Sequence, residues 1–223
     1  MNTGVKGDMT RTTKKRAYDA TSRKQAAQLT QRSILEAARN VFLDKGYAAA
    51  TMPAIAKAAG VALDTVYATV GKKSALFRLL IETAISGTDS DVPVEERDYV
   101  QAIRAETDAA GKLKIYATAL RSIQQRLAPL FRVLQGAAAL DPELDALWQS
   151  ISERRARNMR RLASDLVATG RVRSHLSVAK VADIVWSMNA PEFYLLMVGE
   201  RGWSPEQFED WLADAWARLL LEP

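Results

Sequence analysis

Cysteine is absent from the 223-residue chain, and histidine occurs once, at His175. Without cysteine the chain can form neither a disulfide framework nor a thiolate metal site, which is compatible with a reducing compartment. A single histidine excludes most multi-histidine metal sites. We therefore expect neither a metal nor a cofactor.

Long apolar runs are also absent. Asp183, Asn189 and Glu192 interrupt the best candidate for a membrane span, so no segment offers the ~20 apolar residues that a span needs. The amino terminus is polar and basic, unlike a secretory signal with its apolar centre. These features predict a cytoplasmic protein that does not contact the membrane.

Sequence motifs for catalysis are missing as well. The chain contains no nucleophile elbow, no glycine loop that would cradle phosphates and no ligands at metal spacing. His175 follows the Gly170 turn, where a surface role is more plausible than that of a general base. We expect the protein not to be an enzyme.

Charge is divided unevenly along the chain. Residues 1–88 carry 14 Lys/Arg against 6 Asp/Glu, a surplus of +8, whereas the remainder carries 17 against 20, or −3. Such a division is expected when a nucleic-acid-binding part is joined to an effector-binding part. Residues 1–27 are basic with few apolar side chains and predict a disordered arm, which either contacts DNA or only solubilises the chain.

Residues 51–74 predict two short helices around a tight turn. Thr51 can cap the first helix, and Pro53 falls in its first turn, where a missing N–H costs little. Gly60 can end that helix in the left-handed conformation, and a second helix then runs from about residue 62 to 70. This is the pattern of a helix-turn-helix whose second helix can enter a DNA major groove.

The rest of the chain also reads as helical. Further helices are predicted over about 30–45, 74–86, 98–106, 112–127, from Pro129, over 142–168, from Ser177 and from Ser204. The polar stretch 87–93 is the clearest break in composition. We therefore predict an all-α protein with an arm (1–27), a DNA-binding head with its connecting helix (28–88) and an effector-binding and dimerisation body (89–223).

Many positions of the head match one family in register. They are Ile34-Leu-Glu-Ala-Ala38, Phe42, Gly46-Tyr47, Thr51, Ile55-Ala56, Ala59-Gly60-Val61, Thr65-Val66-Tyr67, Lys73 and Leu76. In these residues the chain resembles the tetracycline-repressor-like (TetR/AcrR) bacterial transcriptional regulators. The resemblance implies a three-helix head on a helical body. Two stretches depart from it: Asp64 stands where a small residue is usual, and Val70-Gly71-Lys72 replaces an aromatic and a polar turn.

Position in the motif predicts the DNA contacts. The residues predicted to contact phosphates are Thr51, Tyr67, Lys73 and, as a further candidate, Lys72. Those predicted to face the groove are Ala62, Leu63, Asp64, Thr65 and Ala68. Asp64 would repel phosphate or favour a cytosine amino group. Each also has a purely structural alternative: Thr51 as a cap, Tyr67 as half core and Lys73 as a solvated helix start.

A cavity in the body would combine apolar walls with a few polar groups. The candidates, which interrupt or enlarge apolar faces, are Tyr116, Phe131, Gln135, Trp148, Met188, Asn189 and Glu192. Ordinary core packing is the alternative for most of them. The arginines Arg154, Arg155, Arg157, Arg160 and Arg161 could attract an anionic ligand, although a solvated helix face is the default for such a run.

The last helix has a broad aromatic face. By the resemblance, the last two long helices pair with those of a second subunit, which predicts an interface of Val181, Ile184, Val185, Phe208, Trp211, Leu212 and Trp216. The alternative is that this face packs only inside one subunit. Together these expectations describe a homodimeric repressor that binds a palindromic double-stranded DNA operator and is released by a small hydrophobic ligand. An architectural DNA-binding dimer without an effector, and a helical carrier or enzyme that does not bind DNA, are the rival interpretations.

Overall fold

The computed structural model describes residues 10–88 and 92–223, with side chains from residue 23 onward. Within these residues the chain forms α-helices α1 Thr10–Ala49, α2 Met52–Ala59, α3 Leu63–Val70, α4 Lys73–Ser86, α5 Asp98–Ala105, α6 Ala109–Ala138, α7 Pro142–Ala168, α8 Val178–Met188, α9 Pro191–Tyr194 and α10 Pro205–Leu220. A short 3-10 turn covers Val94–Glu96, and a π-helical stretch covers Leu195–Glu200. The only β-pairing among the described residues is one isolated bridge, Val172 to Leu221. The all-α prediction is confirmed.

Helix α1 corrects the prediction for the amino-terminal arm. The helix begins at Thr10, inside the segment 1–27 that was predicted to be disordered, while residues 1–9 lie outside the described residues. Eleven of the 18 residues from 10 to 27 are alanine, lysine, arginine or glutamine, which favour helix although they supply little apolar surface for packing. At Gly46 the backbone leaves the helical region (φ 71°, ψ 171°), where the sequence predicted the first helix of the head to end.

The helix-turn-helix forms from local determinants. The Thr51 hydroxyl accepts a hydrogen bond from the Ala54 amide at 3.3 Å and caps α2. Gly60 ends α2 in the left-handed conformation (φ 69°, ψ 28°), which costs glycine little. Behind this pair the rings of Phe42 and Phe77 meet edge to face, with centroids 4.9 Å apart.

Helix α6 is longer than the sequence predicted, because it continues through Pro129 instead of restarting there. Proline removes the N–H that would bond to the Gln125 carbonyl, but Gln125 is exposed, so water can satisfy that oxygen. On the other face Leu127, Leu130 and Phe131 are at most 4% exposed. Their burial outweighs the lost hydrogen bond and keeps the helix continuous.

Two apolar clusters fill the molecule. The head core contains buried residues of α1 to α4 together with Leu127, Leu130, Phe131 and Leu134 of α6 and Leu144, Leu147 and Ile151 of α7. The body core joins α5 and α10 to the other halves of α6 and α7 and to α8. The head is thus packed directly onto α6 and α7, across the compositional break at 87–93.

The predicted dimer interface needs correction. Five of its seven residues, Val181, Val185, Phe208, Leu212 and Trp216, are at most 1% exposed inside a single chain. The apolar face of α10 packs against α6 of the same chain, so these side chains are not available to a partner. Ile184 and Trp211 are only partly buried and remain candidates for an interface.

Candidate DNA interface and effector cavity

Helix α3 presents its polar face to solvent. Val66 and Val70 are 0% and 8% exposed and attach the helix to the head core, whereas Tyr67 is 48% exposed. Among the residues assigned to the groove, Ala62, Asp64 and Ala68 are exposed, and Leu63 and Thr65 are partly exposed. A helix held by its apolar side with its other side open can lie against base pairs.

The two lysines at the start of α4 lie beside other parts of the chain. The ammonium nitrogen of Lys73 is 4.3 Å from the centroid of the Tyr47 ring and donates to the Ala48 carbonyl at 3.3 Å. Burial lowers the pKa of Lys73. Lys72 is more exposed, and its Nζ is 2.5 Å from Glu143 Oε1 of α7. Thr51, besides capping α2, is exposed, so all three predicted phosphate ligands at these positions are reachable from solvent.

A cavity of about 130 Å³ lies between the two cores. Its walls come from both, with Ile123 and Ile151 from the head core and Ile103 and Leu162 from the body core. Thirteen of its 23 lining residues are apolar or aromatic, and the other ten are polar or charged. This composition is typical of sites that bind small molecules.

Two of the seven predicted ligand-binding residues, Tyr116 and Asn189, line this cavity. The other five do not line it: Phe131 packs on Trp148 with ring centroids 4.5 Å apart, Gln135 is exposed, Met188 belongs to the body core, and Glu192 is partly buried outside the lining. The aromatic and methionine side chains are used in packing, which was the alternative considered for them.

Asn189, only 3% exposed, connects the polar groups of the cavity wall. Its Oδ1 accepts from Arg155 Nη2 at 2.6 Å, and its Nδ2 donates to the Tyr116 hydroxyl at 2.8 Å. Its backbone carbonyl accepts from Gln124 Nε2 at 2.8 Å. Burial raises the pKa of Tyr116, which keeps the phenol neutral. The four side chains form one hydrogen-bonded network.

Three arginines of α7 line the cavity, although a solvated helix face is the default expectation for this run. Arg154, Arg155 and Arg161 line the cavity, whereas Arg157 and Arg160 point to solvent. Spacing in the sequence indicates an inward position for Arg155, because it lies four residues after Ile151 and four before Met159, both of which are buried. Residues four apart share a helix face, so Arg155 belongs to the inward stripe.

In the part of the chain that the structure describes, no group of three or more His, Cys, Asp or Glu side chains could hold a metal ion. None of the described helices is both long enough and apolar enough to cross a membrane.

Comparison with known proteins identifies the head directly. Residues 34–80 match the family model for bacterial regulatory proteins, tetR family. This range contains the helix-turn-helix, the part of α1 from Ile34 onward and the first half of α4. No curated protein sequence matches the chain.

Solved structures share the fold over most of the chain. NalD, the secondary repressor of the MexAB-OprM multidrug efflux pump in Pseudomonas aeruginosa, is 18% identical, with 86% of this chain and 98% of NalD covered and a TM-score of 0.69. A transcriptional regulator from Rhodococcus sp. Rha1 is 17% identical, with coverages of 85% and 95% and a TM-score of 0.60. A proposed transcriptional regulator from Saccharomonospora viridis, solved in complex with choline, is 17% identical, with coverages of 86% and 98% and a TM-score of 0.64.

The structural likeness extends the head match to the whole helical architecture, and the residues that carry the resemblance to TetR regulators lie in the matched range. Residues 34–80 therefore match the tetR family of bacterial regulatory proteins, and the chain as a whole shares the fold of the transcriptional regulators named above.

Proposed function

We propose that the protein is a homodimeric transcriptional repressor that binds a palindromic operator in double-stranded DNA and is released when a small molecule occupies the cavity. The observation that carries the proposal is the open face of α3, held by Val66 and Val70, on a body that contains a cavity between the two cores. A repressor and a choline-bound protein with the same fold support both halves of the proposal. No catalytic role is proposed.

The proposed DNA contacts follow the exposure of the head. Thr51, Tyr67, Lys72 and Lys73 would contact phosphates, and the residues from Ala62 to Ala68 that face outward would lie against base edges. In a dimer the two α3 helices must lie about 34–36 Å apart, or a multiple of that distance, to reach successive half-sites. The partly exposed Ile184 and Trp211 are the proposed centre of the subunit interface.

Release of DNA requires that the ligand favour one arrangement of body and head over another. The cavity offers such a link, because Arg154 of its wall pairs with Glu82 of α4 at 2.9 Å, and α4 begins next to α3. A ligand that shifts α7 would therefore move α4 and change the distance between the two heads. A body without a cavity would instead favour an architectural DNA-binding protein, so the cavity supports the repressor over this rival.

The first experiment is selection of bound fragments from sheared genomic DNA, followed by anisotropy measurements of affinity at several salt concentrations. We expect the logarithm of affinity to fall by roughly 0.9 per phosphate contact for each unit of log salt concentration. The replacement Lys72→Ala should weaken binding to specific and to random DNA by similar factors, since a phosphate carries no sequence information. Lys114→Ala, at an exposed lysine near the far end of α6, is the matched control.

Two results would contradict the proposal. Absence of DNA binding at low ionic strength would remove the regulator function altogether. A loss confined to specific DNA in the Lys72 variant would remove Lys72 from the phosphate contacts.

A further inference from the structure

Arg155 contributes a positive charge to the cavity wall that no carboxylate of the described residues pairs with. Its neighbours are paired: Arg154 contacts Glu82 at 2.9 Å, and Arg161 contacts Glu95 at 2.5 Å. Arg155 instead donates through Nη2 to two neutral oxygens, the Trp186 carbonyl at 2.8 Å and Asn189 Oδ1 at 2.6 Å. Within the described residues its Nε and Nη1 make no hydrogen bond.

The surroundings of Arg155 have a low capacity to stabilise its charge. Burial lowers the pKa of its guanidinium. The Trp186 ring lies 5.0 Å from its central carbon, which adds a favourable cation–π contact but no counter-charge. Glu192 acts on it electrostatically without forming an ion pair, and one Glu192 oxygen, Oε2, is itself buried without a hydrogen-bond partner. A partly desolvated guanidinium of this kind is stabilised by an anion that can reach its free N–H groups.

Charge around the rest of the cavity has the same sign. Five arginines line the cavity, Arg97, Arg104, Arg154, Arg155 and Arg161, against the two carboxylates of Glu95 and Asp165. The surplus is three positive charges, or one when Glu82 behind Arg154 and Glu192, which acts on Arg155, are included. A cationic ligand would enter against this field, whereas an anion would be attracted.

Gln124 also has a buried polar atom without a hydrogen-bond partner. The residue is 1% exposed and lines the cavity, and while its Nε2 donates to the Asn189 carbonyl, its Oε1 has no partner. The Tyr116 hydroxyl accepts from Asn189 and so keeps its own proton available to donate. The wall therefore presents cationic and phenolic donors together with one free acceptor, the Gln124 carbonyl oxygen.

Size and polarity restrict the remainder of the ligand. The volume of about 130 Å³ is close to that of an engineered apolar cavity of about 150 Å³ that binds benzene. Apart from Asn158 and the groups already named, the wall is formed by apolar side chains such as Leu120, Ile123 and Leu127. A compact apolar body, about the size of one aromatic ring, fits this space.

We propose that the cavity binds a small carboxylic acid that has an apolar body and a separate hydroxyl group. Its carboxylate contacts Arg155, and its hydroxyl group donates to Gln124 Oε1. This deepens the proposed function by naming the chemical class of the effector, and it rests on that function only where DNA release is concerned. Burying the acid satisfies the guanidinium, the phenol and the free amide oxygen in one step.

The test is isothermal titration calorimetry on the full chain with matched probes: benzoate, the hydroxybenzoate isomers, benzamide, benzylamine and choline. Benzoate should bind at least about tenfold more tightly than benzamide, since a charge-assisted hydrogen bond replaces a neutral one. One hydroxybenzoate isomer should bind more tightly than benzoate, and benzylamine and choline should not bind. Equal or tighter binding of benzamide, or no binding of any carboxylate at millimolar concentration, would overturn the proposal.

Variants locate the binding in the cavity. Arg155→Gln keeps a donor for Asn189 but removes the charge, and should weaken benzoate about tenfold or more while leaving benzamide unchanged. Arg157→Gln, at an exposed arginine of the same helix, is the matched control. Glu192→Gln should increase the affinity for benzoate, because it removes a negative charge that acts on Arg155. This second variant keeps the test decisive if Arg155→Gln fails to fold, and equal effects of Arg155→Gln and Arg157→Gln would refute the assignment.

Operator binding in the presence of each probe separates the two proposals. If benzoate binds through Arg155 but leaves DNA affinity unchanged, the effector part of the proposed function fails while the ligand class stands. If a neutral or cationic probe binds and releases DNA, the ligand class fails while the proposed function stands.

Discussion

The ion pair between Arg154 of α7 and Glu82 of α4 is expected to stabilise the chain and to connect the cavity with the head. Arg154 Nη1 and Nη2 donate to Glu82 Oε1 and Oε2 at 3.0 and 2.9 Å, so the two planar groups meet in a bidentate arrangement. The side chains retain 32% and 14% of their exposure. The pair is therefore partly desolvated but still reached by water.

Exposure sets the expected magnitude. Fully exposed ion pairs contribute about 0.2–1 kcal/mol, and hydrogen bonds to charged groups in less exposed positions about 1.5–3 kcal/mol. At intermediate exposure we expect a coupling free energy of about 1–2 kcal/mol for Arg154 and Glu82. The assay is a double-mutant cycle of Arg154→Met and Glu82→Gln, with the free energy of unfolding measured in urea.

A second pair in the chain provides the control. Arg218 and Asp214 also meet at 2.8 Å, but they are 79% and 59% exposed and lie one turn apart on the same helix. Their cycle should yield about 0.3–0.5 kcal/mol. If the coupling of Arg154 and Glu82 does not exceed that of the control pair, the argument from partial burial is wrong. In the double variant, benzoate should also change operator affinity less than it does in the parent protein.

The other predictions concern the core, the interface and the response to alkali. Trp216→Ala removes a side chain that is fully buried and should cost about 3–5 kcal/mol of unfolding free energy in urea, whereas Leu219→Ala, at a residue 49% exposed, should cost far less. Trp211→Asp should convert dimers to folded monomers in sedimentation experiments, and a dimer that persists would place the interface elsewhere. Burial raises the pKa of Tyr47 from 10.0 to about 12, so its contribution to stability is present below pH 10 and lost as pH rises toward 12. Tyr47→Phe should reduce the fall of the urea midpoint as pH rises over this range. A pH profile identical to that of the parent protein would contradict the assignment.

The head was predictable because its determinants are local. A capping threonine, a glycine that adopts a left-handed conformation and apolar residues at helical spacing lie within about twenty residues of one another. The structure places Thr51 and Gly60 in those roles. In the arm, the scarcity of apolar residues predicts disorder, whereas the helical propensity of its alanine, lysine and arginine residues favours the helix that forms from Thr10.

The body was harder to predict, because its details depend on contacts between distant segments. Pro129 ends a helix by local rules, yet packing of both flanks carries α6 through it. An aromatic face on α10 is compatible with packing inside the chain or across subunits, and only the position of α6 decides that Trp216 is buried internally. The cavity arises where two cores meet, so Arg155 could be placed on an inward stripe by its spacing but not paired with Asn189.

Two ion pairs of different strength connect helix α7 with helix α4 and the residue before it. Lys72 and Glu143 are 67% and 56% exposed, so this pair contributes little and an operator phosphate can replace Glu143 as the partner of Lys72. Arg154 and Glu82 are less exposed and bidentate, and no DNA contact is proposed for either. Under the proposed function, DNA binding exchanges the first pair and leaves the second intact. In the proposed mechanism, a displacement of α7 by a ligand then reaches α4 through Arg154 and Glu82 whether or not the head is on its operator. This is the condition for a ligand to release a repressor that is already bound.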